Sequence, residues 1–288
     1  MPTIEDLLDQ AEDRIKKSKH VDLWRPSDAR VNAEELLSEV LGKEVTSEML
    51  DDSVGSPKAQ RFEKMVRRRV AGEPIAFIVG HTEFRGLKMP IRKDVFVPRN
   101  SSELLAEKAI AKIRRRQSPV AVDVATGIGP VAMAVANEVK RATVYGLDIW
   151  APSIKLAKDN AKALGVTNVK FLESDMLKRL PSKLKGRIDV FTIHPPYVAR
   201  SAVRTLPKEI KGFEPKVSLT DDSKDGLGLV RSLANEAPEW LSKNGWVMVE
   251  VSPDLSRQVG TILRHAGLSE VKSERDSLGA TRVVSGKL

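Results

Sequence analysis

The sequence predicts an α/β protein in which a small helical bundle precedes a mostly parallel β-sheet covered by helices. Three observations predict this fold class. Apolar residues recur at helical spacing through residues 1–71, strand and helix patterns alternate from about residue 99, and two β-prone runs end the sequence. With 288 residues and 41% hydrophobic content, the chain can bury a sizeable core, which argues against a disordered protein.

The first part of the sequence predicts three helices. Ser27 is placed to cap the second helix, which Gly42 ends, and Ser56-Pro57 is a cap and first-turn pair for the third. We expect a helical domain over residues 1–74 and, because no residue in it has a catalytic pattern, assign it to substrate docking. The apolar stripe of its first helix consists of Ile4, Leu7, Leu8, Ala11 and Ile15.

The rest of the sequence predicts a linker and a larger α/β domain. Residues 75–98 contain short β-prone runs separated by Gly and Pro, which predict a β-hairpin linker. Over residues 99–288 strands and helices alternate, as in a parallel sheet with helices on both faces. The last two runs, LSEVKSER and ATRVVSG, are close enough to form an antiparallel hairpin at the sheet edge.

Composition excludes several classes of chemistry. The absence of cysteine excludes disulfides, thiolate metal sites and a cysteine nucleophile, and the four histidines are too scattered to predict a metal site. The longest purely apolar stretch, Val131–Ala136, is far shorter than the about 20 residues that span a bilayer. Because the N-terminus also lacks a signal-peptide pattern, we expect a cytoplasmic protein without membrane contact.

Charge is distributed unevenly along the chain. Residues 1–75 hold 13 basic and 16 acidic side chains, whereas residues 76–288 hold 35 basic and 23 acidic ones. The basic excess in the second part indicates either contact with RNA or the ribosome, or plain solubility, because the basic residues are dispersed. We expect the protein to be a monomer.

A glycine-rich turn is the first candidate binding feature. It runs from Asp123 to Gly129, between a buried strand and a helix, where glycines let the backbone approach a ligand that helix N–H groups face. It is neither a phosphate-binding Walker loop nor a complete dinucleotide motif, since Ala125 occupies the first glycine position. Taken alone, the turn is equally well explained as a tight connection. Its candidate ligand-binding residues are Asp123, Ala125, Thr126, Gly127, Ile128 and Gly129.

Acidic residues at the next two strand ends strengthen the prediction of a nucleoside site. Asp148 lies 21 residues after Gly127, where a carboxylate can accept hydrogen bonds from both ribose hydroxyls. Asp175 ends the third strand, NVKFLESD, and is placed to accept from the adenine amino group, with Ile149 and Met176 packing on the faces of the ring. Each acid alone is more often a surface turn residue, but three consecutive strand ends favour the nucleoside interpretation.

The fourth strand ends in His194-Pro195-Pro196-Tyr197. Proline has no N–H, so the two prolines leave carbonyl acceptors beside an aromatic face, an arrangement that suits a planar –NH₂ group. Acceptors that hold both N–H bonds can orient a weakly nucleophilic nitrogen for attack on an electrophile. We predict that these four residues are catalytic and bind substrate; the alternative is a rigid structural loop.

Together these motifs resemble the HemK/PrmC-type protein-(glutamine-N5) methyltransferases. The resemblance covers nearly the whole chain. It implies a class I S-adenosylmethionine (SAM)-dependent domain with a seven-stranded sheet, SAM as cofactor, and the GGQ glutamine of a peptide-chain release factor as substrate. The similar segments are Gly72–Gly80, Glu83–Leu87, Val97–Arg99, Glu103–Leu105, the glycine-rich turn, the Pro-Pro-Tyr loop, Phe213–Pro215, Asp225–Leu227 and Arg282–Val284.

The resemblance also implies roles for individual residues. His194 would contact the cofactor as well as the substrate, and Arg99 and Glu103 would join the substrate site. We also assign Phe84 to the substrate site, because it lies in the linker hairpin, which is placed to border the mouth of the site. Three departures fall on the chemistry: the family has Asn at position 194, Gly at position 125, and Pro-Arg-Pro-x-Thr-Glu where this sequence has Pro-Arg-Asn-Ser-Ser-Glu at residues 98–103. Neutral imidazole offers one donor and one acceptor, as an amide side chain does, but from different positions. Two alternatives therefore stay open: a related enzyme with another acceptor, such as an exocyclic amine of nucleic acid, another protein or a small molecule, and a non-catalytic SAM-binding relic.

Overall fold

A computed structural model describes residues 1–23, 25 and 27–288. In that part of the chain, no helix is both long enough and apolar enough to cross a membrane. The helices are α1 (Ile4–Lys16), α2 (Asp28–Leu41), α3 (Ser56–Val70), α4 (Ile75–Val79), α5 (Ser102–Ile113), α6 (Pro130–Glu138), α7 (Ala151–Ala163), α8 (Lys208–Lys211), α9 (Gly228–Trp240) and α10 (Ser256–His265). The strands are β1 (His81–Phe84), β2 (Leu87–Pro90), β3 (Val120–Val124), β4 (Thr143–Asp148), β5 (Val169–Glu173), β6 (Ile188–Ile193), β7 (Leu241–Glu250), β8 (Ser269–Arg275) and β9 (Thr281–Lys287).

The chain forms two compact units, and each unit consists of two segments that are separated in the sequence. Met1–His81 and Thr205–Phe213 make up the first unit; Thr82–Arg204 and Glu214–Leu288 make up the second. The short helix α8 therefore belongs to the helical unit, although it follows β6 along the chain. Hydrophobic periodicity along the sequence does not predict this return of residues 205–213 to the helical unit.

The first unit is helical, as predicted, but its caps differ in part. Thr3 caps α1 through a capping box with Asp6, and Gly42 ends α2 in the left-handed conformation with φ of 75°. The predicted Ser27 cap is wrong, because Ser27 has helical backbone angles and its side chain makes no capping bond. Ser56 is already inside α3. The buried face of α1 consists of Ile4, Leu8, Ala11 and Ile15.

A hairpin follows the helical unit, but it is shorter than predicted. The β-prone run IAFIV folds as the one-turn helix α4, which begins after the extended Pro74 and ends at the left-handed Gly80. Proline before the run and glycine after it match the punctuation of a helix, which overrides the β preference of Ile and Val. The hairpin itself consists of β1 and β2.

The second unit contains a seven-stranded sheet in the order β5-β4-β3-β6-β7-β9-β8. The pairs among β5, β4, β3, β6 and β7 are parallel, whereas β9 is antiparallel to both β7 and β8. The predicted mostly parallel sheet with an antiparallel hairpin at its edge is thus confirmed. Separate apolar clusters lie on the two faces, one with residues of α5, α6 and α7 and the other with residues of α9 and α10.

The order of the strands identifies the edge where a ligand is expected. Chain order runs outward from β3 in one direction to β4 and β5, and in the other direction to β6 and β7. In open parallel sheets, ligands bind outside the carboxyl ends of the strands at such a switch point. The glycine-rich turn follows β3, Asp148 ends β4, and His194 directly follows β6.

Candidate active site

The glycine-rich turn passes from β3 into α6 with three residues in the left-handed region. The φ angles are 53° at Ala125, 57° at Gly127 and 86° at Gly129. A Cβ atom at Gly129 would lie 2.5 Å from Cζ of Phe171, so only glycine fits there without displacing the ring. A Cβ at Gly127 would meet no atom within 4 Å, so open space lies above the turn at this position.

Ala125 is strained by the conformation of the turn. A left-handed backbone costs an L-residue roughly 1–2 kcal/mol because Cβ crowds the following carbonyl group, and glycine avoids this cost. The methyl group of Ala125, at the position where the family has glycine, therefore strains the backbone of the turn.

Asp123 is buried beneath the turn. Its carboxylate accepts hydrogen bonds from Thr126 Oγ1 at 2.5 Å and from Thr192 Oγ1 at 2.7 Å. Burial raises the pKa of Asp123 to about 7, the charge of Asp148 raises it further, and the two hydroxyl bonds oppose the shift. These hydrogen bonds connect the turn to β6 through Asp123. Only 4% of the surface of this residue is exposed.

Asp148 connects the turn to the start of α7. Oδ2 accepts from Gly127 N at 2.7 Å, and Oδ1 accepts from Trp150 N at 2.8 Å. Each carboxylate oxygen keeps a further lone pair that can accept a hydroxyl group. Burial raises the pKa of Asp148, while these backbone hydrogen bonds oppose the shift. The adjacent Ile149 is an exposed apolar side chain, with 54% of its surface accessible.

Asp175 and Met176 lie beyond the end of β5, so the prediction that Asp175 ends this strand is wrong. The Asp175 carboxylate is half-exposed and forms an ion pair with Lys178, which would compete with an incoming amino group. Met176 is buried among apolar residues of one sheet face and has a positive φ of 48°. Both residues come shortly after β5, where the sequence predicts contacts with the adenine ring. In this structure, however, both side chains already contact other protein groups.

The loop after β6 is held by backbone contacts from a later segment. Pro195 and Pro196 are buried, while Tyr197 forms an isolated antiparallel bridge with Thr220. Gly226 packs directly on this loop, because a Cβ there would lie 2.0 Å from the carbonyl oxygen of Tyr197. The Asp225–Leu227 motif therefore supports the loop, and Gly226 is needed for that close approach.

His194 lies in an aromatic and polar enclosure. Its ring meets Phe96 edge-on at 5.4 Å and stacks on Tyr197 at 5.7 Å between centroids. Its Nδ1 atom is 3.3 Å from Ser102 Oγ and 3.5 Å from Glu250 Oε2. Burial lowers the pKa of His194, and the charge of Arg99 lowers it further, against the opposing effect of Glu250. The imidazole is therefore neutral at neutral pH.

The carboxylate beside His194 belongs to Glu250. It ends β7 next to β6, and the register pairs Ile193 with Val249. The following residues on the two strands, His194 and Glu250, are consequently side by side. The sequence predicts that each residue lies at the end of a strand. It does not predict that the two strands are neighbours or in which register they pair.

The remaining predicted substrate residues have different surroundings. Arg99 donates to both carboxylate oxygens of the buried Glu214, at 2.7 and 2.9 Å, and its guanidinium lies 4.5 Å from the centroid of Phe96. Glu103 accepts from the backbone N–H of Arg85 at 2.9 Å and so stabilises the hairpin turn. Phe84 is completely buried in the apolar core, which contradicts the direct substrate contact expected of it.

Comparisons with known proteins agree with this architecture. Residues 117–262 match the family model described as a methyltransferase domain, and residues 6–80 match the PrmC N-terminal domain. A protein of Bordetella pertussis named release factor glutamine methyltransferase is 34% identical over 265 residues, covering 91% of this chain and 96% of that protein. The chain belongs to the release factor glutamine methyltransferase family.

Another relative supports the family assignment, and a solved structure supports the fold. The release factor glutamine methyltransferase of Burkholderia pseudomallei is 33% identical, covering 91% of this chain and 93% of that protein. The crystal structure of a methyltransferase from Pyrococcus furiosus has a TM-score of 0.51 at 16% identity and covers 81% of this chain and 98% of that one. That structural likeness concerns the fold alone. This member of the release factor glutamine methyltransferase family therefore has the class I SAM-dependent methyltransferase fold.

Proposed function

We propose that this chain transfers a methyl group from SAM to the side-chain amide nitrogen of a glutamine in a peptide-chain release factor. The observation that carries the proposal is the extent of the similarity. Relatives named release factor glutamine methyltransferase align over about nine-tenths of this chain and of their own length. The similarity includes both the helical part and the methyltransferase domain.

The residues at the switch point fit SAM. Open space above Gly127, free lone pairs on Asp148 and the exposed apolar face of Ile149 are the features that an adenosyl group requires. When bound, SAM supplies an electrophilic methyl group and leaves as a neutral thioether. The proposed binding residues are Asp123, through its support of the turn, the backbone from Ala125 to Gly129, Asp148 for the ribose, and Ile149, Asp175 and Met176 for the adenine.

The loop from His194 to Tyr197 is the proposed binding site for the acceptor amide. Its two buried prolines provide carbonyl groups and no N–H donors, so the loop is suited to a group that donates through both of its N–H bonds. An amide nitrogen is a poor nucleophile, and fixed acceptors contribute by orienting it rather than by deprotonating it in advance. Burial raises the pKa of Tyr197, so its hydroxyl stays neutral beside the substrate.

The helical unit is the proposed docking domain for the protein substrate. Within that unit, α8 is held by Glu209, which accepts from the buried Arg69 at 2.7 Å and from the backbone N–H of Asp22 at 3.0 Å. The segment that follows the substrate loop in sequence is therefore anchored among the N-terminal helices. We propose residues 1–74 as the docking region, residues 75–98 as the linker and residues 99–288 as the catalytic domain.

A second candidate acceptor is an exocyclic amine of RNA. An open cavity of about 610 Å³ in the second unit is lined by Arg200, Ser201, Val203, Arg204, Lys216 and Lys224. Cationic side chains around an open cavity favour contact with phosphate groups. Two of these charges are partly satisfied by Asp222, since Arg200 donates to its carbonyl oxygen and Lys216 to its carboxylate.

Incubation of the purified chain with labelled SAM and candidate acceptors tests these proposals. We expect label in a release factor and not in one whose GGQ glutamine is replaced by alanine. Transfer to an RNA fraction with none to the release factor would instead support the second candidate.

We further propose that the enzyme acts as a monomer in the cytoplasm with the translation machinery. A single chain supplies every residue of the candidate site, so a partner subunit is not needed to complete it. Light scattering combined with size-exclusion chromatography measures the molar mass and tests the monomer directly.

A further inference from the structure

The pairing of His194 with Glu250 carries an inference about the acceptor chemistry of the site. His194 follows β6 and Glu250 ends the neighbouring parallel strand β7, so the two residues are side by side. Nδ1 of the imidazole lies 3.5 Å from Oε2 of the carboxylate. Phe96 contacts one part of the ring and Tyr197 stacks on it, so the plane of the imidazole is constrained. The ring edge that carries Nδ1 is therefore the one turned toward Glu250.

Glu250 has one satisfied oxygen and one that lacks a hydrogen bond. Oε1 accepts from Ser101 Oγ at 2.7 Å, whereas Oε2 is buried and has no hydrogen-bond partner among the described residues. A buried carboxylate oxygen without a donor is costly. A proton on Nδ1 provides that donor after a small side-chain adjustment, and hydrogen bonds of this kind are often long before substrate binds.

The alternative tautomer leaves this oxygen unsatisfied. With the proton on Nε2, the lone pairs of Nδ1 and of Glu250 Oε2 would face each other. Ser102 does not decide between the states, because its hydroxyl lies 3.3 Å from Nδ1 and can either donate or accept. The unpaired carboxylate oxygen therefore selects the tautomer.

We propose that Glu250 is a positioning residue that keeps the proton of His194 on Nδ1, so that Nε2 is the acceptor this side chain offers to the substrate amide. This inference rests on the proposed function, since it assigns a role at the same site. The methylated amide nitrogen must lose one N–H proton as its new N–C bond forms. Nε2 is the ring atom free to take that proton, and the resulting imidazolium is adjacent to the Glu250 carboxylate.

The charged and titratable groups around His194 support a neutral resting imidazole. Glu250 approaches from β7, Arg99 from the segment before α5, and Tyr197 from the same loop. Burial dominates and lowers the pKa of His194. Because the ring carries a single proton in this state, the nitrogen that holds the proton determines whether the substrate meets a donor or an acceptor.

Nitrogen-15 NMR of the imidazole rings tests the tautomer without any enzymatic turnover. The His194→Asn variant identifies the His194 signals by their absence. We expect the wild type to show a protonated Nδ1 and an unprotonated Nε2 at neutral pH. In Glu250→Met, where no carboxylate oxygen remains to accept from Nδ1, the proton should shift toward Nε2. The matched control Glu239→Met, at an exposed position of α9, should leave the His194 signals unchanged.

A wild-type spectrum with the proton on Nε2 would overturn the proposal, and so would an unchanged His194 tautomer in a folded Glu250→Met variant. The wild-type measurement remains decisive if that variant fails to fold. Because the spectrum requires neither SAM nor a release factor, a protonated Nδ1 together with no methylation of any release factor would reject the proposed function and still support the assigned tautomer.

Turnover of a release factor provides an independent test by a double-mutant cycle. Glu250→Met should lower kcat by on the order of tenfold or more when His194 is present, because the acceptor nitrogen becomes a donor. The same change in a His194→Asn background should have little further effect on kcat. Equal losses in both backgrounds would indicate a purely structural role for Glu250 and contradict the proposal.

Discussion

The backbone N–H of Gly127 donates to Oδ2 of Asp148 at 2.7 Å, which ties the turn after β3 to the end of β4. The second oxygen of the same carboxylate accepts from Trp150 N, so one side chain fixes both the glycine-rich turn and the start of α7. The residue expected to bind the ribose therefore also shapes the backbone against which the adenosyl group would lie.

Replacing Asp148 with asparagine should weaken SAM binding by roughly 10- to 100-fold. The amide has one acceptor oxygen in place of two charged ones, and a hydrogen bond to a charged group is worth about 1.5–3 kcal/mol. Isothermal titration calorimetry measures the change. The exposed Asp159→Asn on α7 is the matched control and should bind SAM as the wild type does. Unchanged affinity in Asp148→Asn would contradict the ribose contact.

Replacing Ala125 with glycine should stabilise the protein by about 0.5–1 kcal/mol. Glycine removes the cost of the left-handed backbone, which exceeds its own entropic disadvantage. The control Ala111→Gly, at an exposed position inside α5, should instead destabilise the protein by about 1 kcal/mol. Denaturant unfolding of the three proteins measures both changes. A loss of stability in Ala125→Gly would show that the strain does not exist in solution.

Protonation of His194 should lower both activity and stability as the pH falls. Its pKa in the folded protein lies below the ordinary value of 6.5, so the native state binds fewer protons than the unfolded chain in this range. The contribution of the neutral His194 side chain to the free energy of unfolding is complete above about pH 6.5. It is lost as the pH falls through the pKa that His194 has in the folded protein. The pH dependence of kcat should show the same acid limb, and His194→Asn should remove it. The same acid limb in the His194→Asn variant would contradict the role of a neutral imidazole.

Asp123 should give the opposite dependence on pH. Burial raises its pKa from 3.8 to about 7, so the folded protein retains a proton that the unfolded chain has released between those values. This residue therefore makes the native state less stable as the pH rises from about 4 to 7. The difference in melting temperature between wild type and Asp123→Asn, measured at pH 5 and pH 8, should shift in favour of the variant at the higher pH. With Asp159→Asn as the control, a constant difference across this range would show that Asp123 does not titrate there.

Local sequence patterns predicted the sheet and the turn because their determinants are close in sequence. The alternation of strand and helix patterns, the glycines of the turn and the spacing from Gly127 to Asp148 each lie within one or two structural units. The helix at Ile75–Val79 was missed because its flanking Pro and Gly outweighed the β preference of its residues. Phe84 was assigned to the substrate site because nothing local shows which face of a short hairpin becomes core.

The contacts that could not be predicted from the sequence join residues that are far apart along the chain. The neighbour of His194 depends on the register of β6 against β7, and Glu250 is 56 residues away along the chain. In the helical unit, Arg69 meets Glu209 across 140 residues. Such partners depend on the order of strands and the path of a connecting segment, which hydrophobic periodicity does not specify.

Tandem mass spectrometry of a release factor incubated with the purified chain and SAM tests the central claim most directly. We predict one added methyl group on the GGQ glutamine, with no such product from the factor in which that glutamine is replaced by alanine. An unmodified glutamine under conditions in which the same preparation methylates RNA or another protein would contradict the account.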